Sequence, residues 1–164
     1  MGRIFDSMVK FFEEDNWHFV QEEGESRLLM TVVGSSGDLT CLAEAREEQK
    51  TFVFYTIFGL NIPKDRRRDA AEFFTRANSG LVLGNFEMDM DDGEVCYKTS
   101  IDVEDAPLTS AEIRKLVYLS ILMADRYLPG LITLLYSNAS PQQAITQVEF
   151  GRAWMGGSQA RTVD

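Results

Sequence analysis

Residues 78–104 read NSGLVLGNFEMDMDDGEVCYKTSIDVE, and their pattern is the strongest structural signal in the chain. Within it, two strand-like segments flank Asp92-Gly93, a dipeptide typical of tight hairpin turns. A two-residue loop would place Met90 opposite Val95, Met88 opposite Tyr97, and Glu87 opposite Lys98. In this register the apolar side chains point to one side of the hairpin, and Glu87, Asp89 and Lys98 point to the other. The sequence therefore predicts an antiparallel hairpin with one buried face.

The other elements lie in blocks before and after this hairpin. Hydrophobic periodicity, caps and turn residues predict helices at 4–14, 63–78, from 109 onward and 141–153, and strands at 28–33, 39–46, 51–58, 81–90 and 94–103. Thr109-Ser110-Ala111-Glu112 is the capping box that opens the third of these helices. The order is α-β-β-β-α-β-β-α-α, which is typical of the α+β class rather than of a doubly wound sheet. With 164 residues, one domain is expected. We assign it residues 1–155, with a flexible C-terminal tail at 156–164.

The chain is acidic, with 16 Lys and Arg against 26 Asp and Glu and a formal net charge of −10. A surface that binds nucleic acid or anionic lipid needs an excess of basic side chains, so neither partner is expected. The longest apolar run, 116–135, is interrupted by Asp125 and Arg126, so no membrane span is expected. The N-terminus has no signal-peptide pattern, and Cys41 and Cys96 are predicted to be separate reduced thiols. These features predict a cytoplasmic protein.

Side chains that could perform catalysis or hold a metal ion are sparse. His18 is the single histidine and lies beside Trp17, so a catalytic nucleophile–histidine pair is not expected. One histidine and two distant cysteines give no zinc-ligand spacing. The carboxylates of residues 87–94 alternate with apolar residues along a strand, unlike those of a calcium loop. The sequence thus predicts a protein that is not an enzyme, with no cofactor and no metal.

The strands at 39–46 and 51–58 carry more apolar side chains than one buried face needs. A hairpin between them pairs Ala45 with Phe52, Ala43 with Phe54, Leu42 with Tyr55, and Leu39 with Phe58. The small residues opposite large ones form the helix-covered face. The other face still carries Leu42, Val53, Tyr55 and Ile57, to which Leu29 or Val33 could add, although an antiparallel sheet normally presents polar residues to water there. A partner, a second subunit or the C-terminal helix would cover these four residues.

The hairpin sequence resembles the YbjN family, small bacterial proteins described as sensory transduction regulators. The residues that carry the resemblance are Asn78, Gly84, Phe86, Asp89, Gly93, Val95 and Tyr97. Looser matches are Trp17, Pro63, Asp125-x-Tyr127-x-Pro129 and Ser140-Pro141-Gln142-Gln143-Ala144. Lys98 stands where arginine is usual.

The resemblance implies a fold like that of type III secretion chaperones, with helices on one face of a five-stranded antiparallel sheet. It further implies homodimers and the binding of a polypeptide segment, and it brings no catalytic residues. The leading hypothesis is a chaperone-like protein-binding or regulatory module, in which Leu42, Val53, Tyr55 and Ile57 form the partner or dimer interface. The alternative is a small-ligand sensor with a pocket between the long helix and the sheet, near Met88, Tyr97 and Met123.

Overall fold

The computed structural model describes residues 2–104 and 106–155, so the predicted tail at 156–164 lies outside the described residues. The helices are α1 (Arg3–Glu14), α2 (Arg67–Ser79, after a 3-10 turn at Lys64–Arg66), α3 (Ser110–Tyr136) and α4 (Pro141–Met155). The strands are β1 (Val20–Gln21), β2 (Arg27–Val33), β3 (Asp38–Arg46), β4 (Thr51–Asn61), β5 (Asn85–Met88) and β6 (Glu94–Asp102). The predicted α+β class is confirmed, and the nine predicted elements occur in the predicted order.

The strands form one antiparallel sheet in the order β1-β2-β3-β4-β6-β5. The sheet has six strands where five were expected, because two residues, Val20 and Gln21, pair with Leu29 and Leu28 at the edge of β2. So short a strand before an acidic segment carries no periodic signal of its own. The addition leaves the predicted architecture unchanged.

The predicted hairpin between β3 and β4 is confirmed pair by pair, from Leu39 opposite Phe58 to Ala45 opposite Phe52. The small residues Cys41 and Ala43 and the large residue Phe54 are fully buried. Helices α1, α2 and α3 pack against this side of the sheet, which we call the inner face, and α4 packs against α2 and α3. Small side chains on one strand thus leave room for aromatic rings on the next and for the helices above.

The core between the helices and the inner face contains two hydrophobic clusters. One gathers α1, the first half of α3 and strands β2 to β4, and the other gathers α2, the second half of α3, α4 and strands β4 to β6. Between the two, the buried hydroxyls of Thr56 and Ser120 are 2.7 Å apart and share a hydrogen bond. At the start of α3 the predicted capping box is present, since Thr109 and Glu112 bond each other's backbone N–H.

The register of the β5–β6 hairpin differs from the prediction by two residues. Met88 faces Val95 and Phe86 faces Tyr97, so the loop has four residues, 90–93, instead of two. A shift of two residues preserves the faces of the strands, and Glu87 and Lys98 remain on one side. Met90 instead leaves the sheet and is 53% exposed.

Local hydrogen bonds explain the wider loop. The carboxylate of Asp89 accepts the N–H of Asp91 at 2.7 Å, and that of Asp92 accepts the N–H of Glu94 at 2.7 Å. The Arg67 guanidinium donates to the carbonyl oxygens of Met90 and Asp91 at 3.0 and 2.9 Å. Side-chain bonds of this kind compete with the two-residue turn that Asp-Gly favours.

Candidate functional site

The face of the sheet opposite the helices, which we call the outer face, carries a continuous row of apolar side chains. Strand pairing places Tyr55 beside Leu42, Leu42 beside Leu29, and Leu29 beside Val20. Ile57 lies two residues after Tyr55 in β4, on the same face of the sheet, and adjoins this row. We call these five residues the outer patch. They cross four neighbouring strands, so their side chains form one surface.

The exposure of these side chains rises toward the edge of the sheet. Leu42, Tyr55 and Ile57 are half-buried, whereas Leu29 is 48% and Val20 69% exposed. Val53, which the sequence analysis placed in the interface, lies on the outer face but is only 3% exposed, so it offers little area to a partner. Leu29 and Val33 were the two residues that could add to the interface. Leu29 lies in the row, whereas Val33 lies at the end of β2, opposite Asp38.

Charged side chains surround the outer patch. Arg46 donates at 2.9 Å to both the Glu44 carboxylate and the Tyr55 hydroxyl. On the other side of Tyr55, Lys98 forms an ion pair with Glu87. Burial is the main cause that raises the pKa of Tyr55 above its ordinary value, so the phenol stays neutral. An apolar centre with a polar rim is the anatomy of many protein interfaces.

A shallow hollow of about 380 Å³ lies at the β6 side of the outer patch. It is lined by Leu42, Tyr55, Ile57, Glu87, Met88, Asp89, Glu94 and Cys96. The three carboxylates make this end of the surface anionic. Within residues 2–104 and 106–155, however, no three His, Cys, Asp or Glu side chains converge as they would around a metal ion.

Both cysteines are free, as predicted, and they lie on opposite faces of the sheet. Cys41 is fully buried on the inner face, and burial raises the pKa of its thiol to about 12. Cys96 is half-buried beside Ile57 on the outer face, and burial, followed by the nearby Glu87 carboxylate, raises the pKa of its thiol to about 12. Neither thiol forms appreciable thiolate at neutral pH, so neither is an activated nucleophile.

The position proposed for a ligand pocket, between α3 and the sheet, is filled by side chains. Tyr97 is fully buried and Met123 is 8% exposed. The ring of Phe86 packs 4.8 Å from that of Tyr97 and 5.1 Å from that of Tyr127. The Tyr97 hydroxyl donates to the Leu83 carbonyl oxygen at 2.5 Å. This part of the core is an aromatic cluster.

The motif residues of the hairpin hold its backbone in place. Asn78, at the end of α2, accepts the N–H of Phe86 at 2.8 Å and donates to the carbonyl oxygen of the same residue at 3.1 Å. Phe86 lies on β5, the last strand of the sheet, so the Asn78 amide bonds the groups that another strand would use. Gly84 and Gly93 have positive φ angles of 79° and 83°. A Cβ on either would lie under 3 Å from the backbone of a neighbouring strand or loop.

Replacing Asn78 with alanine removes both bonds to Phe86 and exposes the β5 edge. We expect the free energy of unfolding to fall by about 2 kcal/mol, since each bond is worth roughly 1 kcal/mol. Asn78→Asp keeps the acceptor and loses the donor. Urea denaturation measures the loss, with Asn138→Ala, at an exposed position, as the control. A loss no larger than that of the control would show that water replaces the Asn78 amide without cost.

Comparison with known proteins gives one family and a fold. The profile of the YbjN family, described as "Putative bacterial sensory transduction regulator", matches residues 5–133. Among solved structures, the crystal structure of YbjN from E. coli, described as a putative transcription regulator, has a TM-score of 0.54 at 11% identity, with 92% of each chain covered. No protein with a curated description matches.

A second solved structure is the HopA1–SchA chaperone–effector complex. It has a TM-score of 0.49 at 14% identity and covers 76% of this chain and 92% of that one. A TM-score this low does not establish a shared fold.

Proposed function

Since the chain belongs to the YbjN family, we propose that it is a non-enzymatic, cytoplasmic regulatory module that binds a polypeptide partner on the outer face of its sheet. The observation that carries this proposal is the outer patch. Four strands contribute side chains to it, whereas α1, α2 and α3 pack on the opposite face, with α4 against α2 and α3. An apolar surface of this extent is uncommon on a sheet face that meets only water.

The shape and charge of the outer face suit a polypeptide better than a small molecule. The hollow beside Tyr55 is shallow, and the apolar row continues from it to the edge of the sheet at Val20. A side chain of a partner could enter the hollow while its backbone follows the row. The Arg46–Tyr55 and Lys98–Glu87 contacts would form the polar rim around that segment.

The two thiols are not activated nucleophiles, which supports a role in binding rather than catalysis. The thiol pKa values of Cys41 and Cys96 are raised to about 12, and His18 lies exposed beside β1. The small-ligand alternative has lost its main support, because aromatic rings fill the space near Tyr97 and Met123.

Tyr55→Glu places a charge at the centre of the outer patch. We expect the fold to persist, with a loss of about 1 kcal/mol or less, because Tyr55 is half-buried. Binding of the partner should weaken about tenfold or more, because the substitution removes the Tyr55 ring from the patch and replaces it with a carboxylate that the partner must strip of water. A cross-linked pull-down from source lysate, with gel filtration and light scattering, measures both effects. The matched control is Tyr136→Glu, since Tyr136 is 80% exposed at the end of α3.

Cys96 provides a second measurement in the unmodified protein. It lies beside Ile57, so at an alkaline pH, where part of the Cys96 thiol ionises, a partner on the outer patch would slow its reaction with an uncharged maleimide, while the fully buried Cys41 reacts slowly in either state. Slower Cys96 labelling together with a doubled mass would identify the partner as a second copy. If Tyr55→Glu and Ile57→Glu both unfold the protein, or if Tyr55→Glu captures the same proteins as Tyr136→Glu, the proposal is wrong.

A further inference from the structure

The two edges of the sheet are closed to different extents. At the β5 edge, the Asn78 amide bonds both outward-facing backbone groups of Phe86. At the β2 edge, β1 pairs only with Leu28 and Leu29. The pairing with β1 stops at Leu29, whereas β2 continues to Val33. Residues 30–33 of β2 therefore have no neighbouring strand on this side.

Backbone hydrogen bonds show which groups face the uncovered edge. The Ser26 carbonyl oxygen accepts the N–H of Ala45 at 2.9 Å, and the N–H of Gly34 donates to Gly37 at 2.9 Å. In a strand, the backbone N–H and C=O groups of successive residues point to opposite sides. The even-numbered residues of β2 therefore bond β3 through these groups, and the backbone groups of the odd-numbered residues point away from β3. Accordingly, the carbonyl oxygen of Arg27 accepts the N–H of Glu22, on the β1 side, at 3.4 Å.

Thr31 and Val33 are the odd-numbered residues beyond β1. Their N–H and C=O groups point away from β3, and no residue of the described chain bonds them. A hollow of about 340 Å³ opens where β1 departs from β2, lined by His18, Phe19, Val20, Leu29, Met30 and Thr31. The edge is therefore both unpaired and accessible.

Apolar side chains flank this edge on the outer face and on α3. Leu29 is 48% and Val33 82% exposed on the outer face. On α3, Tyr118 packs against Trp17 with ring centroids 5.9 Å apart, and the Asp125 carboxylate accepts the N–H of Ser36 at 2.8 Å.

Leu122 lies between Tyr118 and Asp125 on the same side of α3, because residues three and four apart are neighbours on a helix. It is 57% exposed, and Tyr118 is 47% exposed. Tyr118, Leu122 and Asp125 form a stripe on α3. It runs from Trp17 to the β2–β3 turn, alongside the uncovered part of β2. A strand added there would meet apolar side chains on both of its faces.

The charges beside the edge are negative at the Val33 end. Asp38 is exposed and lies opposite Val33 in the β2–β3 pairing, and the Asp125 carboxylate lies next to the backbone of Gly34. Two copies joined through this edge would bring these carboxylates together on chains that each carry a formal charge of −10. A cationic segment of another protein is the complementary occupant.

We propose that the β2 edge from Thr31 to Val33 is a strand-addition site for an extended polypeptide segment with alternating aliphatic residues and a lysine or arginine at the end that meets Asp38. Main-chain bonds to Thr31 and Val33 hold the segment, and the flanking apolar side chains select its residues. The site stands whether or not the outer patch binds a partner, because its backbone bonds involve none of Leu42, Tyr55 and Ile57.

The test selects short peptides from a displayed random library on the immobilised protein. Thr31→Pro removes the N–H that faces the edge and preserves the bonds of β2 to β3, while Thr31→Ala keeps that N–H. Peptides that use the edge should bind wild type and Thr31→Ala equally and bind Thr31→Pro about tenfold or more weakly. Asp38→Asn should reduce the salt dependence of their affinity.

A second measurement needs no variant of the protein. N-methylation of a selected peptide at alternate residues should abolish binding for one alternating set and spare the other, because only one set faces β2. Hydrogen exchange at Thr31 and Val33 should be fast in the free protein and slow with the peptide.

Several outcomes would overturn the proposal. The first is that no peptide is selected. The second is that the selected peptides bind Thr31→Pro as tightly as wild type and that the two alternately methylated peptides bind equally. The third is a wild-type dimer that Thr31→Pro converts to a monomer. Peptides lost with Tyr55→Glu and retained with Thr31→Pro would belong to the outer patch, and would support the proposed function without supporting this site.

Discussion

Gly93→Ala is expected to lower the free energy of unfolding by about 3–5 kcal/mol. The backbone of Gly93 has a φ of +83°, which costs an alanine about 1–2 kcal/mol. The new Cβ would also lie 2.2 Å from the carbonyl oxygen and 2.8 Å from the nitrogen of Ile62. Relieving this clash moves the segment after β4 and strains the 2.8 Å bond between Ile62 N–H and Gly93 O, which adds about 2–3 kcal/mol.

Gly24 supplies a matched control for this substitution. Its φ is +80°, close to that of Gly93, but a Cβ there would meet nothing within 4 Å. Gly24→Ala should therefore cost only the backbone term, about 1 kcal/mol. Urea denaturation of both variants isolates the clash with Ile62 as the difference between the two losses. Equal losses would show that the hairpin loop moves away from Ile62 freely.

The parts of the fold that were predicted correctly are those with a strong local pattern. On β3 small residues occupy every second position, and on β4 Phe52, Phe54 and Phe58 lie on one face, so the pattern assigns the buried face of each strand, and the short connection at 47–50 sets the register. The capping box at Thr109 is equally local, because its two partners are three residues apart. Such features need no knowledge of the rest of the chain.

The features that escaped prediction depend on distant residues or on competing local bonds. The four-residue loop that ends at Gly93 is held by Arg67, a residue of α2, as well as by the carboxylates of Asp89 and Asp92. The pairing of β4 with β6, which brings Cys96 beside Ile57, joins segments on either side of α2 and β5. No local pattern encodes that neighbour relation.

The candidate site was predictable in part for the same reason. Leu42, Tyr55 and Ile57 were identified because their strands carry more apolar residues than one face can bury. Val20 was missed, since its only signal is its pairing with Leu29 in a strand of two residues. The open edge at Thr31 was equally invisible, because it depends on where β1 ends and on which way the backbone groups of β2 point.

Phe86→Ala is the second substitution with a large expected effect. Phe86 is 3% exposed, and its ring lies 4.8 Å from Tyr97, 5.1 Å from Tyr127 and 5.3 Å from Phe74. A fourth ring, that of Phe58, lies 6.2 Å away. Deleting the Phe86 ring removes contacts to these four rings and leaves a cavity, which costs about 3–5 kcal/mol. Phe150→Ala is the control, because Phe150 is 64% exposed and should lose less than about 0.5 kcal/mol.

The same pair of variants separates a packed interior from a ligand pocket. In a packed interior, benzene should raise the melting temperature of Phe86→Ala by filling the new cavity and should leave the wild type unchanged. A comparable rise in the wild type would mean that space for a ligand already exists between α3 and the sheet. The small-ligand sensor would then regain its support. Equal stability losses for Phe86→Ala and Phe150→Ala would likewise contradict the aromatic cluster, because removing a ring with four aromatic neighbours must cost more stability than removing one that faces water.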